Sequence, residues 1–252
     1  MILFRSITHH LIPKGTFPFL FLLSFIPILG AVGQSRQMKF DQITVEHGLS
    51  SLTPFHIVQD QQGFLWIGTE DGLNRYDGYA FVVYRPDPKD STTLSRGLCS
   101  GLAVSRDGTL WVATETDILH RYDPDTDSFV RHKVVVPHEV KIDYRLSLGH
   151  IKPDGDSTLW IATNAGLCKF NTKSFESRFF THYPADSATL SMNTLRTLSP
   201  EGNDVIWISS PKGLNRFDKR SEKVQRFQFN APPFKPGHND VHDVAVDAVG
   251  TV

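Results

Sequence analysis

One unit recurs along this chain and limits what it can fold into. Its first copy reads Gly63-Phe64-Leu65-Trp66-Ile67-Gly68-Thr69-Glu70-Asp71-Gly72-Leu73-Asn74-Arg75-Tyr76-Asp77. Later copies centre on Leu110-Trp111-Val112-Ala113-Thr114, Leu159-Trp160-Ile161-Ala162-Thr163 and Ile206-Trp207-Ile208-Ser209-Ser210. All four tryptophans of the protein occupy the same place in the unit, spaced 45, 49 and 47 residues apart. A repeat of this length, built from short β-type runs, is the signature of a propeller blade.

The chemistry within one unit agrees. Phe55 to Gln59 and Phe64 to Thr69 flank the turn Asp60-Gln61-Gln62-Gly63, which reads as a hairpin. Glu70-Asp71-Gly72 and Asp77-Gly78 are further turns, leaving Leu73–Tyr76 and Tyr79–Tyr84 as third and fourth strands. Four such strands make one antiparallel blade. In the second strand, Trp66 and Gly68 share one face, so a large ring lies beside a residue with no side chain. That suits a surface packed against a neighbouring blade. The expected fold is therefore all-β: a propeller of four-stranded antiparallel blades, with four full units and the opening of a fifth at 241–252. The fifth tryptophan would fall at position 253, so the chain reads as a fragment of a longer protein, with further blades expected elsewhere.

Residues 1–33 have the layout of a secretory signal peptide, and cleavage is expected before Gln34. Arg5 and Lys14 precede an apolar run from Phe17 to Leu29, and Ala31-Val32-Gly33 supplies the small residues. Thirteen residues rise about 20 Å as a helix, short of a hydrocarbon core of ~30 Å. Residues 34–54 are expected to carry a lone strand over 39–45 and a lead-in, and residues 55–252 the partial propeller. Export implies an oxidising compartment. Cys99 and Cys168 occupy non-equivalent positions in their units, and no geometry supports joining them. The net charge of −1 gives no broad attraction to nucleic acid.

The unit resembles the two-component regulator propeller repeat. Asp60 to Asp77 follows that repeat's Asp-x-x-Gly-x-Leu-Trp-Ile-Gly-Thr-x-x-Gly-Leu-x-Arg-Tyr-Asp pattern at nearly every position, and the likeness extends over residues 39–252. The chain departs from it where Glu115-Thr116-Asp117 lacks the turn glycine, where Cys168 replaces Asn, and at Ser209. The resemblance implies the periplasmic part of a hybrid sensor histidine kinase. It also implies an intact protein anchored in the inner membrane, homodimeric, with a kinase region following, that senses glycan-type ligands. The alternative is a secreted propeller enzyme of the streptogramin-lyase type, for which His150, His182, His238 and His242 offer no matching pattern.

No catalytic residue, cofactor or metal site is expected. No Gly-x-Ser-x-Gly or phosphate loop occurs. The tryptophans, at a fixed repeat position, are assigned to packing between blades. The Asp of each Asp-x-x-Gly turn is assigned to its own turn backbone. Recognition is expected in the variable linkers 85–97, 133–143, 184–194 and 230–240, which lie on the face of the second-to-third-strand turns. Candidate ligand-binding residues are Arg85, Arg96, Tyr144, Arg145, Asn193, His238 and Asn239, a mix suited to hydroxyl-rich or anionic ligands.

Overall fold

The computed structural model describes residues 42–140, 142, 145–228, 239–247 and 250–252. The signal segment, Tyr144 and His238 lie outside the described residues. Four separate four-stranded antiparallel sheets follow one another in chain order. Blade 1 comprises β1 (Pro54–Gln59), β2 (Leu65–Thr69), β3 (Gly72–Tyr76) and β4 (Phe81–Tyr84). Blade 2 comprises β5 (Cys99–Val104), β6 (Leu110–Thr114), β7 (Ile118–Asp123) and β8 (Ser128–Lys133). Blade 3 comprises β9 (Leu148–Asp154), β10 (Thr158–Thr163), β11 (Gly166–Asn171) and β12 (Ser177–Phe180). Blade 4 comprises β13 (Leu198–Glu201), β14 (Val205–Ser210), β15 (Gly213–Asp218) and β16 (Lys223–Phe227). The all-β propeller expected from the repeat is the fold observed.

The core lies in the seams between blades. Three clusters of buried side chains fill the seams between blades 1 and 2, 2 and 3, and 3 and 4. Each seam is keyed by a second-strand tryptophan against a third-strand aromatic of the next blade. Trp66 meets Tyr122 edge-on at 4.8 Å between centroids, Trp111 meets Phe170 at 6.2 Å, and Trp160 meets Phe217 at 5.4 Å. Edge-to-face pairs of this kind add about 0.5–1.5 kcal/mol beyond their burial. The assignment of the tryptophans to blade packing holds.

Each indole N–H also needs an acceptor in this dry seam. It donates to a side chain six residues earlier, at the end of the first strand or in the turn after it. Trp66 reaches Asp60 (2.7 Å), Trp160 reaches Asp154 (2.9 Å), Trp207 reaches Glu201 (2.8 Å), and Trp111 reaches the hydroxyl of Ser105 (3.3 Å). Asp60 also accepts from the amides of Gln62 and Phe64, as expected for its turn. One carboxylate thus shapes the hairpin and locks the ring.

A second repeated device fixes the entry to each blade. A Leu-Ser step precedes the first strand. Its leucine drops into the seam (Leu94, Leu146 and Leu190), and the serine amide is held by a side chain. In blades 1 and 4 that holder is the third-strand Asn74 or Asn215, which accepts from Ser50 or Ser191. In blade 2 it is His120, whose Nε2 accepts from Ser95 while Nδ1 donates to the Val112 carbonyl. In blade 3 Cys168 cannot serve, and Asn164 of the adjacent turn accepts from Ser147 instead.

The first strands of successive blades lie side by side around the axis. Gly101 is required there, because a Cβ would sit 2.1 Å from the Gly149 carbonyl oxygen. Side chains tie the strands together. Ser100 Oγ donates to the Leu148 carbonyl (2.5 Å), and His150 Nδ1 accepts from the Leu198 amide (2.9 Å).

Two expectations need correction. The lone strand over 39–45 is not formed in its described part; Val45–His47 make one turn of 3-10 helix capped by Thr44 and Gly48. The opening of a fifth unit is not a strand in its described residues either. It runs along β13, with Val244 and Val246 donating to the hydroxyls of Thr197 and Ser199, and Gly250 donating to the Asp247 carbonyl. Cys99 and Cys168 are free thiols buried in different seams, and burial pushes the Cys99 thiol up to about 12.

Removing an indole acceptor leaves a buried donor unsatisfied. Asp154→Ala strips Trp160, and with it Lys219, of a partner. It is expected to lower stability by about 1–3 kcal/mol in urea unfolding. Unchanged unfolding midpoint would show that the indole bond carries no stability.

The buried histidines set an acid limit. Burial lowers His120 to about 4 from an ordinary 6.5. Below pH 6.5 the unfolded chain takes up a proton that the folded state refuses. Stability therefore falls as pH drops from 6.5 toward 4 and levels off below, by about 3 kcal/mol for this group. His150, lowered to about 3 by burial, acts in the same direction. His120→Asn, which copies blades 1 and 4, is expected to keep the fold and to shrink the loss of melting temperature between pH 7 and pH 4.5. An equal loss in both proteins would contradict this.

Candidate functional site

The blade-to-blade linkers share one face with the second-to-third-strand turns, as expected. Gly72 donates to the Gly97 carbonyl and Gly166 to the Asn193 carbonyl, each at 2.8 Å. In blades 1, 3 and 4 the turn is the same. Thr69, Thr163 and Ser210 donate their hydroxyls to the carbonyls of Gly72, Gly166 and Gly213. These glycines have φ of 114°, 113° and 115°. A Cβ there would lie 2.6, 2.3 and 2.4 Å from the last carbonyls of the fourth strand or its neighbour, Tyr84, Phe180 and Phe227. Only glycine satisfies both the torsion and the contact. The ladder therefore continues to the turn, pairing Thr69 with Gly72, Thr163 with Gly166 and Ser210 with Gly213.

Blade 2 breaks this pattern because Asp117 stands where the glycine belongs. The β6–β7 ladder stops at Ala113↔Leu119. The freed Thr114 hydroxyl bonds Thr116 instead (3.0 Å), Thr116 holds the Ile118 amide, and both hydroxyls meet Ser95. The opened turn borders a cavity of about 500 Å³ on the seam between blades 2 and 3. One wall is apolar: Val134, Val136, Ile142 and Leu146. The rim is charged: Arg96, Glu115, Asp117, Lys133 and Arg145. Lys133 pairs loosely with Asp117 at 3.7 Å.

The candidate residues divide accordingly. Arg96 and Arg145 come together at this cavity. Arg85 instead braces the blade 1 turn, donating from Nε and Nη2 to Asp71 at 3.2 and 3.0 Å. Asn193 is part of the scaffold, its Oδ1 accepting from the His182 amide at 2.7 Å. Asn239 lies in the fourth linker beside Asp240, which pairs with Arg196 at 2.8 Å. Tyr144 and His238 lie outside the described residues.

The related linkers 85–95 and 183–191 are clamped rather than free. Arg131 donates to the carbonyls of Thr93, Leu94 and Asp90. Arg226 does the same for Thr189 and Asp186. The Asp-Ser-x-Thr-Leu-Ser run they share, at 90–95 and 186–191, is therefore structural, and the cavity is bordered by Arg96 and by the linker after β8. Among the described residues no group of three His, Cys, Asp or Glu side chains is placed to hold a metal ion. His150 and His182, weighed for an enzyme, hold the Leu198 amide and the Leu190 carbonyl.

The reading of the repeat agrees with comparison to known proteins. Residues 48–71 match the family model described as two component regulator propeller. A stretch of 74 residues, 29% of this chain, is 43% identical to histidine kinase P4 of Formosa agariphila, of which it covers 5%. The fold is similar to the extracellular domains assigned to two hybrid two component systems of B. thetaiotaomicron. For BT3049 the TM-score is 0.66 at 24% identity, covering 83% of this chain and 28% of that one. For BT4673 it is 0.65 at 19% identity, covering 86% and 30%. The chain thus spans under a third of these solved domains.

Two variants divide the part-buried brace from the exposed one. Asn193→Ala is expected to cost about 1 kcal/mol in urea unfolding, through the lost acceptor. Arg85→Ala, in an exposed ion pair, should stay within about 0.5 kcal/mol of the parent. The reverse ranking would overturn this division.

Proposed function

We propose that this chain is a ligand-sensing propeller region of a hybrid two-component sensor histidine kinase, exported to the periplasm, and that its ligand is an oligosaccharide. The observation that carries the reading is the cavity bordered by 115–118, 133–136, Ile142, Arg145 and Leu146, opened where one blade departs from an otherwise repeated turn. A rigid scaffold that varies at one point is how recognition sites are commonly built. The matched propeller repeat and the identity to a histidine kinase support the signalling context. In the intact protein a homodimer, anchored in the inner membrane and joined to a cytoplasmic kinase, would receive the signal.

The site's position suggests how binding is transmitted. It straddles the seam between blades 2 and 3, with Ile118 on one side and Leu146 on the other. A ligand touching both blades binds best to one relative setting of them. That difference in affinity is what biases a two-state receptor. The site's work is binding; no step of bond chemistry is assigned to it.

The test is a calorimetric screen of the purified protein against a panel of plant and microbial oligosaccharides, with Ile142→Trp as the variant that crowds the cavity. One glycan is expected to bind without turnover, at least tenfold more weakly in the variant. Failure of every glycan to bind would remove the ligand class, and turnover of one would remove the sensor.

A further inference from the structure

Arg96 and Arg145 differ from most of the described arginines, whose guanidinium groups are engaged within the protein. Among the described residues, Arg75, Arg85, Arg106, Arg178, Arg196, Arg216 and Arg220 each pair with a carboxylate. Arg131 and Arg226 are spent on linker carbonyls. Of the described arginines, only Arg96, Arg121 and Arg145 have side chains without a hydrogen bond or ion pair, and Arg121 lines a cavity on the opposite face. The two that remain border the same 500 Å³ cavity.

The other charges there do not neutralise them. Lys133 and Asp117 offset each other at 3.7 Å. Among the described lining residues Glu115 is the one further acid, so these residues carry an excess of positive charge. The apolar wall of Val134, Val136 and Leu146 excludes water from one side, which strengthens a charge pair formed against it. Two guanidinium forks offer planar, two-pronged donation that matches a carboxylate or a sulfate. We infer that the cavity binds an anionic ligand carrying a carboxylate or sulfate group, held by Arg96 and Arg145. Where the ligand is an oligosaccharide, an assignment that rests on the function proposed above, it is an acidic one: a uronate or a sulfate ester.

The test follows the melting temperature of the full protein against rising D-glucuronate, inorganic sulfate and D-glucose, beside the Arg96→Gln/Arg145→Gln double variant. Both side chains are exposed, so the variant should fold with the parent's basal melting temperature. Glucuronate is expected to stabilise the parent saturably, as a ligand specific to the folded state does. Glucose should not, and the variant should bind glucuronate at least tenfold more weakly. Sulfate also stabilises proteins by exclusion from their surface, a rise that does not saturate and should be equal in both. Its saturable part should be absent from the variant. Identical responses of parent and variant, or no saturable response to either anion, would overturn the inference. A neutral oligosaccharide bound equally by both, and blocked by Ile142→Trp, would overturn it while leaving the sensor reading intact. Binding of glucuronate with no oligosaccharide bound would leave the anion site standing and remove the oligosaccharide class.

Discussion

The indole bond across six residues is the contact on which the rest of the structure depends. A tryptophan supplies more apolar surface to a blade seam than any other side chain, but it brings one N–H that cannot be left dry. Placing Asp60, Asp154 or Glu201 six residues ahead of the ring solves this within one hairpin. The carboxylate sits at the end of β1, β9 or β13 or in the turn that follows, so the hairpin and the ring orientation form together. With the ring locked, the next blade has a defined surface to meet, and its third-strand aromatic comes in edge-on. Blade 2 uses the neutral Ser105 at a longer 3.3 Å, the weakest version of the device.

Seams built this way tolerate exchange of their polar pins. Asn74, His120 and Asn215 occupy one repeat position and do one job, holding the serine amide at the blade entrance. When Cys168 takes that position, the adjacent turn residue Asn164 takes over the amide. The physical requirement is a satisfied amide, and the residue type is secondary. The histidine solution carries a condition the asparagines do not: its Nε2 must stay unprotonated to accept.

Much of this was legible in the sequence. The spacing of four tryptophans with Gly-bounded β-type runs led to the blade, its four strands and the shared face of linkers and turns. The packing role of the rings followed from their fixed place. The six-residue interval to an acid was visible too, at Asp60 and Asp154, but the turn backbone seemed a sufficient partner for the carboxylate. The site was half legible. Arg96 and Arg145 were singled out among polar linker residues, whereas Arg85 and Asn193 turned out to brace turns. Composition alone cannot separate a guanidinium that holds Asp71 from one that holds nothing, because the partner lies across a turn. The linkers at 85–95 and 183–191 misled for a related reason: their common pattern signalled a clamp by Arg131 and Arg226, not variability. The better signal was the missing glycine at 115–117. In the sequence it is one departure from the repeat among three; in the structure it marks the point where the ladder stops and the cavity opens.

Asp117→Gly tests this link between repeat and cavity without any ligand. Glycine at 117 restores the residue that in the other blades takes φ near 114° and lets the ladder reach the turn. A crystal structure of the variant is the direct measurement. A closed β6–β7 turn is expected, with Thr114 paired to residue 117 and its hydroxyl on that carbonyl, and a cavity that has collapsed. An open turn with Thr114 still bonded to Thr116, and a cavity of undiminished size, would contradict it.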